Sequence, residues 1–376
     1  MISCENLFGV FKKNNFLFFT GVPDSTFKDW MKFLADEHGE RLTNIIACNE
    51  CEAIAIAAGY NLATGKIGVA YMQNAGEGKT VNPLTSLCDK EVYSIPMLVM
   101  IGWRGELGVK DEPQHAKQGK IQLDLLETMD IPYVIISQDD EQFAAKISNV
   151  VEIAKSESRP VVLLIKKGTF EKYGKEIQKV DEQRMVREEA LEIILENLDS
   201  DTIVVSTTGK TSREIFEIRE KKGQSHQQDF LTVGSMGHCS SIALGIALAK
   251  PHREVVCIDG DGAMLMHLGS LTTIATLKPK NFRHILMNNE VHESVGGQDT
   301  AAKNINLSSI VAAVESSRMF MAETTIELKI NINDFMQGDG PSFLEIKIQP
   351  SSRANLGRPT IKPVDNKENF MRFLEK

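Results

Sequence analysis

The stretch VVCIDGDGAMLM, residues 255–266, joins a short apolar run to a turn in which two glycines flank Asp261. The apolar run predicts a buried strand, and the glycines let the backbone approach a ligand closely. The apolar run HILM, residues 284–287, ends in Asn288 and Asn289 after an intervening helical pattern. Parallel strands joined by helices end at one edge of a sheet, where open α/β folds bind their ligands. The pattern therefore predicts an α/β fold with polar ligands gathered at that edge.

Similar apolar runs alternate with longer helical patterns along the chain, which is typical of parallel βαβ units. The runs in the first half are Leu17–Phe19, Asn44–Cys48, Ile67–Met72, Met97–Ile101, Tyr133–Ile136 and Val161–Ile165. Those in the second half are Thr202–Ser206, Phe230–Val233, Glu254–Ile258, His284–Met287 and Ser342–Ile348. A charged segment with little apolar periodicity, 166–187, separates the two sets. We predict two doubly wound parallel-sheet domains, residues 1–170 and 187–376, joined by a linker at 171–186.

Charge and hydropathy argue against several classes of protein. The chain has 376 residues, of which 42% are hydrophobic, and a formal net charge of −9. This composition is typical of a globular protein, and the negative charge argues against nucleic acid or an anionic membrane as a partner. No run of the sequence reaches the roughly 20 apolar residues of a membrane span. The scattered cysteines are typical of reduced thiols, so we expect a cytoplasmic protein.

The two polar strand ends carry oxygen atoms suited to a hard divalent cation. Asp261 supplies a carboxylate, and Asn289 supplies a carboxamide oxygen. Mg²⁺ typically binds one or two such groups together with phosphate oxygens. The arrangement therefore favours a metal ion that bridges Asp261 and Asn289 to a diphosphate. The alternative is a strand-end turn followed by an asparagine-rich cap.

A GDG motif followed, after one helix and one strand, by NN resembles the thiamine-diphosphate enzymes of the pyruvate decarboxylase and acetolactate synthase superfamily. The resemblance implies thiamine diphosphate and Mg²⁺ as cofactors. It also implies that Asp261, Asn289 and the carbonyl of Val291 bind the metal, with Asn288 as the neighbouring alternative. The larger relatives insert a middle domain, for which this chain has no room.

Further matches to the superfamily imply the other cofactor contacts. Glu50 opens an alanine-rich run nine residues before Gly59-Tyr60, as does the superfamily glutamate that protonates the cofactor pyrimidine. Alternatively, Glu50 complements a helix N-terminus, which Glu52 could do equally well. The segment GSMG follows a strand in the second half, and an isolated methionine there is more often core packing. Besides Glu50, Asp261 and Asn289, the implied cofactor-binding residues are Gly234, Ser235, Met236, Gly260 and Gly262.

Longer segments are similar to the phosphonopyruvate decarboxylase family. They are TGVPDSTF at 20–27, YMQNAGEGKTVNPLTSL at 71–87, IGWRGELGVKDEPQH at 101–115, NNEVHESVGGQ at 288–298 and SSRANLGRPT at 351–360. The resemblance implies that Asp24 and His115 manage protons; alternatively, Asp24 caps a helix and His115 closes a loop. An anionic substrate needs guanidinium or other hydrogen-bond donors. The candidate substrate residues are Ser25, Arg104, His292, Arg353 and Arg358.

The same resemblance implies a carboxy-lyase that converts 3-phosphonopyruvate to phosphonoacetaldehyde and CO₂ in phosphonate biosynthesis. A sulfopyruvate decarboxylase is an alternative, because a sulfonate differs from a phosphonate mainly by one charge and one proton. A carboligase is another, because both reactions share their early steps. A cofactor-binding protein without catalysis would be plausible had an apolar residue replaced Glu50. Superfamily members hold their cofactor between subunits, so we expect a homo-oligomer.

Overall fold

The structure is a computed structural model that describes residues 1–174, 184–314 and 317–375. Of these, residues up to 174 together with 295–298 form one compact unit, and residues 184–294 and 299–375 form another. Most of the predicted linker at 171–186 lies outside the described residues. The predicted domain boundaries therefore stay a prediction.

The first unit is a six-stranded parallel sheet with helices between the strands. Its strands are β1 (Phe18–Gly21), β2 (Thr43–Ile46), β3 (Gly68–Gln73), β4 (Met97–Gly102), β5 (Tyr133–Ile136) and β6 (Pro160–Ile165). Its helices are α1 (Cys4–Lys13), α2 (Lys28–Asp36), α3 (Glu50–Thr64), α4 (Asn74–Ser86), α5 (Pro113–Thr128) and α6 (Phe143–Glu157). The strand order is β2-β1-β3-β4-β6-β5. Every strand predicted in this half overlaps an observed one.

Apolar residues cover both faces of this sheet. β4 and β6 are buried along their whole length, as expected for parallel strands with helices on either side. On one face aromatic rings pack together, with Trp30 and Phe33 stacked at 5.1 Å between centroids. On the other face Ile54 of α3 packs against Met72 of β3. These two layers hold the carboxyl ends of β1, β3 and β4 side by side.

The second unit is also a six-stranded parallel sheet. Its strands are β7 (Ile203–Ser206), β8 (Asp229–Leu231), β9 (Val255–Gly260), β10 (Phe282–Asn288), β11 (Arg318–Ala322) and β12 (Ser342–Lys347). Its helices are α7 (Arg187–Glu196), α8 (Lys210–Lys221), α9 (Cys239–Ala249), α10 (Asp261–Met266), α11 (Ser270–Leu277), α12 (Leu307–Val314), α13 (Thr325–Met336) and α14 (Pro363–Leu374). The strand order is β11-β12-β10-β9-β7-β8. The predicted fold class, two doubly wound parallel sheets, is confirmed.

Strand β11 is the element that the sequence pattern did not predict. It lies at the sheet edge, where it pairs only with β12, from Arg318 opposite Ser342 to Ala322 opposite Ile346. Most of its residues are half-buried or exposed. An edge strand therefore lacks the continuous apolar run that marked the central strands.

The strand register places the ends of β9 and β10 together. In this pairing Met287 lies opposite Gly260. Asp261 and Asn289 therefore follow neighbouring strand ends, as the sequence predicted. Among the described helices, none combines the length and the apolar character needed to cross a membrane.

Candidate active site

Glu50 and Glu52 occupy the same helical turn but have different environments. Glu52 Oε2 accepts from the backbone N of Cys48 over 2.8 Å, while the Glu52 backbone N donates to the Asn49 side chain. Asn49 thus caps α3, and the Glu52 carboxylate accepts from the residue that precedes this cap. Glu50 is 5% exposed, and its carboxylate contacts Lys79 of α4. Both glutamates lie in the first turn of α3, where either charge complements the helix N-terminus.

Helix α4 surrounds the Glu50 carboxylate. Lys79 Nζ lies 3.2 Å from Glu50 Oε2. A Cβ added to Gly76 would lie 2.2 Å from Glu50 Oε1, which no side chain could tolerate. Both residues lie within the quoted segment 71–87, although sequence reasoning assigned neither a role. The Glu50 carboxylate thus lies between the Lys79 ammonium group and the backbone of α4 at Gly76.

Asp24 lies just beyond β1 and is fully buried. Its Oδ1 accepts from Gln73 Nε2, at the end of β3, over 2.6 Å. A Cβ on Gly102, at the end of β4, would lie 1.8 Å from Asp24 Oδ2, so this approach needs glycine. Burial raises the pKa of Asp24, although the hydrogen bond from Gln73 opposes the shift. Three strand ends thus enclose a carboxyl group suited to carrying a proton.

Arg104 follows β4 and contacts another predicted site residue. Its Nη1 donates to Ser25 Oγ over 2.9 Å, and its Nε donates to Asp111 Oδ2 over 2.7 Å. Its Nη2 also pairs with Asp111, giving a two-pronged ion pair. Hydrogen bonding to Asp111 raises the pKa of Arg104 further. The sequence analysis did not single out Asp111, which orients this guanidinium.

His115 lies in the first turn of α5 and is 8% exposed. Burial lowers its pKa, and the charge of Arg104 lowers it further. The fold thus places Asp24, Ser25, Arg104 and His115 in one electrostatic group. Burial and the nearby guanidinium therefore favour the neutral imidazole of His115.

Asp261 opens α10 directly after β9 and is 4% exposed. Burial raises its pKa to about 6, while hydrogen bonds from Thr300 and from backbone amides lower it. The hydroxyl of Thr300 donates to Asp261 Oδ2. Thr300 was missed at the sequence level, since 39 residues separate it from its partner. A buried carboxylate held by neutral donors is a group that a divalent cation would compensate.

The two asparagines at the end of β10 differ in their contacts. Asn288 is 0% exposed, and its Nδ2 donates to Glu345 Oε1 over 2.7 Å. Asn289 lies one residue beyond the strand, where its Nδ2 donates to Glu293 Oε2 over 3.3 Å. The Asn288 amide is thus committed to the neighbouring strand β12. Each amide oxygen also accepts from the backbone N two residues on, so the two asparagines differ in burial and in the carboxylate they contact, and the metal ligand among them stays a prediction.

Two residues predicted for the substrate or cofactor, His292 and Met236, approach Gly262, itself a predicted cofactor contact. A Cβ on Gly262 would lie 3.2 Å from His292 Cε1 and 3.6 Å from Met236 Cε. Burial lowers the pKa of His292 to about 4, so its imidazole is neutral at physiological pH. Met236 is only half-buried, so the core-packing alternative does not describe it. The segment between β8 and α9 is fixed by Ser235 Oγ, which lies 3.0 Å from His238 Nδ1.

Two further predicted substrate residues, Arg353 and Arg358, lie in the loop after β12. Arg353 Nε pairs with Glu188 Oε2 at 2.5 Å, and its Nη2 pairs with Glu217. These ion pairs anchor the loop after β12 to α7 and α8. Arg358 is exposed. A role for either arginine in substrate binding stays a prediction.

Matches to protein families cover both units. Residues 4–127 match the thiamine pyrophosphate enzyme N-terminal TPP binding domain. Residues 207–346 match the C-terminal TPP binding domain of the same enzymes. The fold and the polar strand ends thus define a thiamine pyrophosphate enzyme.

Similarity to curated proteins specifies the kind of thiamine pyrophosphate enzyme further. A phosphonopyruvate decarboxylase from Streptomyces hygroscopicus is 33% identical, over 94% of this chain and 89% of its own length. Another, from Streptomyces viridochromogenes, is 33% identical over 94% of this chain and 90% of its own. A sulfopyruvate decarboxylase from Methanosarcina acetivorans is 28% identical over 92% and 91%. The chain belongs to this family of thiamine-pyrophosphate-dependent decarboxylases, and its cofactors are thiamine diphosphate and Mg²⁺.

Proposed function

We propose that the protein decarboxylates 3-phosphonopyruvate to phosphonoacetaldehyde and CO₂. The observation that carries the proposal is the similarity to two phosphonopyruvate decarboxylases along nearly the whole of each chain. The geometry of the first unit supports it, because Arg104 and Ser25 offer donors to an anion close to a buried carboxyl group. When bound, thiamine diphosphate supplies the electron sink that decarboxylation requires.

The second unit provides the groups that would hold the diphosphate and its metal. Asp261, Asn289 and the carbonyl of Val291 are the proposed metal ligands, because oxygen donors suit Mg²⁺. Gly260 and Gly262 flank Asp261 and leave the backbone open to the diphosphate. We further propose Gly234, Ser235 and Met236 as contacts to the rest of the cofactor.

The first unit provides the groups that would move protons. Glu50 is the proposed partner of the cofactor pyrimidine, since it is buried and its carboxylate is held by α4. Asp24 and His115 are the proposed proton carriers for the substrate carbon, because burial favours the neutral form of each. Arg104 and Ser25 would bind the substrate's anionic groups. His292 would contribute a neutral imidazole near Gly262.

Sulfopyruvate is the second candidate substrate. The relative from Methanosarcina acetivorans, a sulfopyruvate decarboxylase, also spans most of both chains, at lower identity. The two substrates share a 2-oxo acid and differ in the second anionic group. Discrimination between them depends on hydrogen-bond donors and charge at that group.

The cellular setting is part of the same proposal. We propose a cytoplasmic homo-oligomer that acts in phosphonate biosynthesis and binds neither nucleic acid nor membranes. The acidic net charge supports the last point. The free state of the cysteines, as the structure has them, fits a reducing compartment.

The deciding experiment measures CO₂ and aldehyde release by the purified protein with thiamine diphosphate and Mg²⁺. Phosphonopyruvate, sulfopyruvate and pyruvate are compared in parallel. A higher kcat/KM for phosphonopyruvate supports the proposal. A preference for sulfopyruvate would replace the substrate and keep the decarboxylase. A carbon–carbon coupled product would instead identify a ligase.

A further inference from the structure

A carboxylate from the same loop holds the side-chain amide of Asn289. Asn289 Nδ2 donates to Glu293 Oε2 over 3.3 Å, and Asn289 Oδ1 accepts from the backbone N of Val291 over 3.2 Å. A carboxylate can only accept hydrogen bonds, so Glu293 pairs with the amino side of the amide and not with its oxygen. Glu293 and the Val291 N–H therefore both fix which way round the amide lies.

Two cations fix the carboxylate of Glu293. Arg187 Nη1 donates to Glu293 Oε2 over 2.9 Å, and Lys210 Nζ donates to Glu293 Oε1 over 2.7 Å. The side chain of Arg187 is 6% exposed and that of Glu293 is 14% exposed. Ion pairs at this depth are only weakly screened by salt. Because a cation binds each of its two oxygens, the Glu293 carboxylate is held in one orientation.

A second carboxylate balances the charge of the group. Arg187 donates from Nε and Nη2 to the two oxygens of Glu214 over 2.8 and 3.0 Å. Lys210 also donates to Ser352 Oγ over 2.7 Å. Two carboxylates thus face two cations, so the group is neutral as a whole. Both oxygens of Glu293 are occupied by cations, which sets it apart from a direct metal ligand.

We infer that Glu293 is a positioning residue for the divalent metal ion, because it orients the Asn289 amide so that its oxygen is presented to the ion. The inference rests on the proposed assignment of Asn289 as a metal ligand. Partners that orient metal ligands in this way typically alter metal affinity 10–100-fold when they are replaced. The expected change in metal affinity depends on the direction of this hydrogen bond, in which Asn289 donates and Glu293 accepts.

A merely structural role has a different signature. Arg187 opens α7 and Lys210 opens α8, so Glu293 joins the starts of two helices. If that were its whole role, replacing it would lower the unfolding temperature and leave the metal affinity of the folded protein unchanged. Metal affinity and thermal stability are therefore measured separately.

The test is a Mn²⁺ titration of the full-length protein with thiamine diphosphate, in which electron paramagnetic resonance reports unbound Mn²⁺. Mn²⁺ replaces Mg²⁺ because both prefer oxygen ligands. In Glu293→Gln the new amide can pair with Asn289 either way round, which leaves only the Val291 N–H to orient it, so we expect the Mn²⁺ dissociation constant to rise on the order of 10-fold. Glu293→Asp keeps a group that only accepts, and its affinity should lie closer to that of the parent protein. If Glu293→Gln does not fold, the Mn²⁺ titration is made with Glu293→Asp instead.

Asp229→Asn is the matched control. Asp229 is fully buried and pairs with Arg219 through two hydrogen bonds of 3.0 Å, in the same unit. The variant breaks a buried ion pair that makes no contact with Asn289 among the described residues. We expect a lower unfolding temperature and an unchanged Mn²⁺ affinity.

A double-mutant cycle with Asn289→Ala separates direct from indirect action. In the Asn289→Ala background, Glu293→Gln should change the Mn²⁺ affinity by less than about twofold, because its target is gone. An equal change in both backgrounds would overturn the inference, as would an unchanged affinity for Glu293→Gln alone. If the parent protein itself binds no Mn²⁺ with thiamine diphosphate, the proposed metal site fails first, and the inference fails with it.

Discussion

Lys79 Nζ lies 3.2 Å from Glu50 Oε2, although the two residues are 29 positions apart in the sequence. The side chain of Glu50 is 7% exposed, whereas that of Lys79 is 29% exposed. The ammonium group therefore compensates a buried carboxylate from the solvent side. The proposed proton partner of the cofactor is thus held in one position by a residue outside its own helix.

Glu50→Gln should reduce CO₂ release about 10²- to 10⁴-fold, because a positioned proton donor contributes on that order to catalysis. Glu52→Gln is the matched control, since Glu52 lies in the first turn of the same helix and accepts from the backbone N of Cys48. Its turnover should stay near that of the parent protein, with a small loss of thermal stability. Equal losses of turnover in the two variants would contradict the role assigned to Glu50.

Gly76→Ala should reduce turnover and Gly78→Ala should not, although both glycines lie in α4. A Cβ at Gly76 would lie 2.2 Å from Glu50 Oε1, whereas a Cβ at Gly78 would meet nothing within 4 Å. Alanine in a helix is favoured over glycine by roughly 1 kcal/mol, so Gly78→Ala should be as stable as the parent or more so. Steady-state kinetics and thermal melting of both variants check this pair.

Arg104→Lys should raise the KM for phosphonopyruvate on the order of 10-fold or more, because one ammonium cannot replace a fork held by Asp111 and directed at Ser25. Pyruvate lacks the second anionic group and serves as the control substrate. Its kcat/KM should change much less. A uniform loss with both substrates would place Arg104 in the support of the loop rather than in substrate recognition.

Glu77→Gln should change how stability depends on pH. Glu77 is fully buried and accepts from Gln122 Nε2 over 2.5 Å; burial raises its pKa from 4.5 to about 7. Because the folded chain holds this proton more tightly than the unfolded chain, stability is greatest below pH 4.5 and falls as the pH rises to about 7. Glu77→Gln lacks this pH-dependent loss of stability, which amounts to at most about 3 kcal/mol.

Melting temperatures of the two proteins between pH 5 and pH 8 provide the measurement. As the pH rises, the melting temperature of Glu77→Gln should increase relative to that of the parent protein. Parallel curves would show that Glu77 does not titrate in this range. Turnover is not expected to follow these curves, since Glu77 contacts none of the proposed site residues among the described hydrogen bonds.

Asn289→Ala should raise the Mg²⁺ concentration needed for half-maximal activity at least about 10-fold, because an oxygen ligand is lost. Asn288→Ala should instead lower stability, since the Glu345 carboxylate loses a buried hydrogen bond of 2.7 Å. Activity as a function of Mg²⁺, together with thermal melting, separates the two outcomes. A higher Mg²⁺ requirement in Asn288→Ala and an unchanged one in Asn289→Ala would identify Asn288 as the metal ligand.

Much of the fold followed from local pattern. The central strands are continuous apolar runs because helices cover both faces of each sheet. The edge strand β11 (Arg318–Ala322) was missed, because one-sided pairing and partial exposure leave no such run. The polar strand ends at Asp261 and Asn289 were predicted, since the rule that parallel strands end at one edge needs no coordinates.

The sequence by itself determined the two parallel sheets, the cofactor class and the residues from which the candidate site is built. Those properties reside in short motifs and in the period of apolar residues, which depend only on near neighbours. Only the tertiary structure decided which groups hold those residues in place. Lys79 against Glu50, Thr300 against Asp261, and Arg187 against Glu293 are contacts across 29, 39 and 106 positions of the chain. Such pairs form when distant elements pack together, so no local pattern predicts them, and it is they that orient the chemistry.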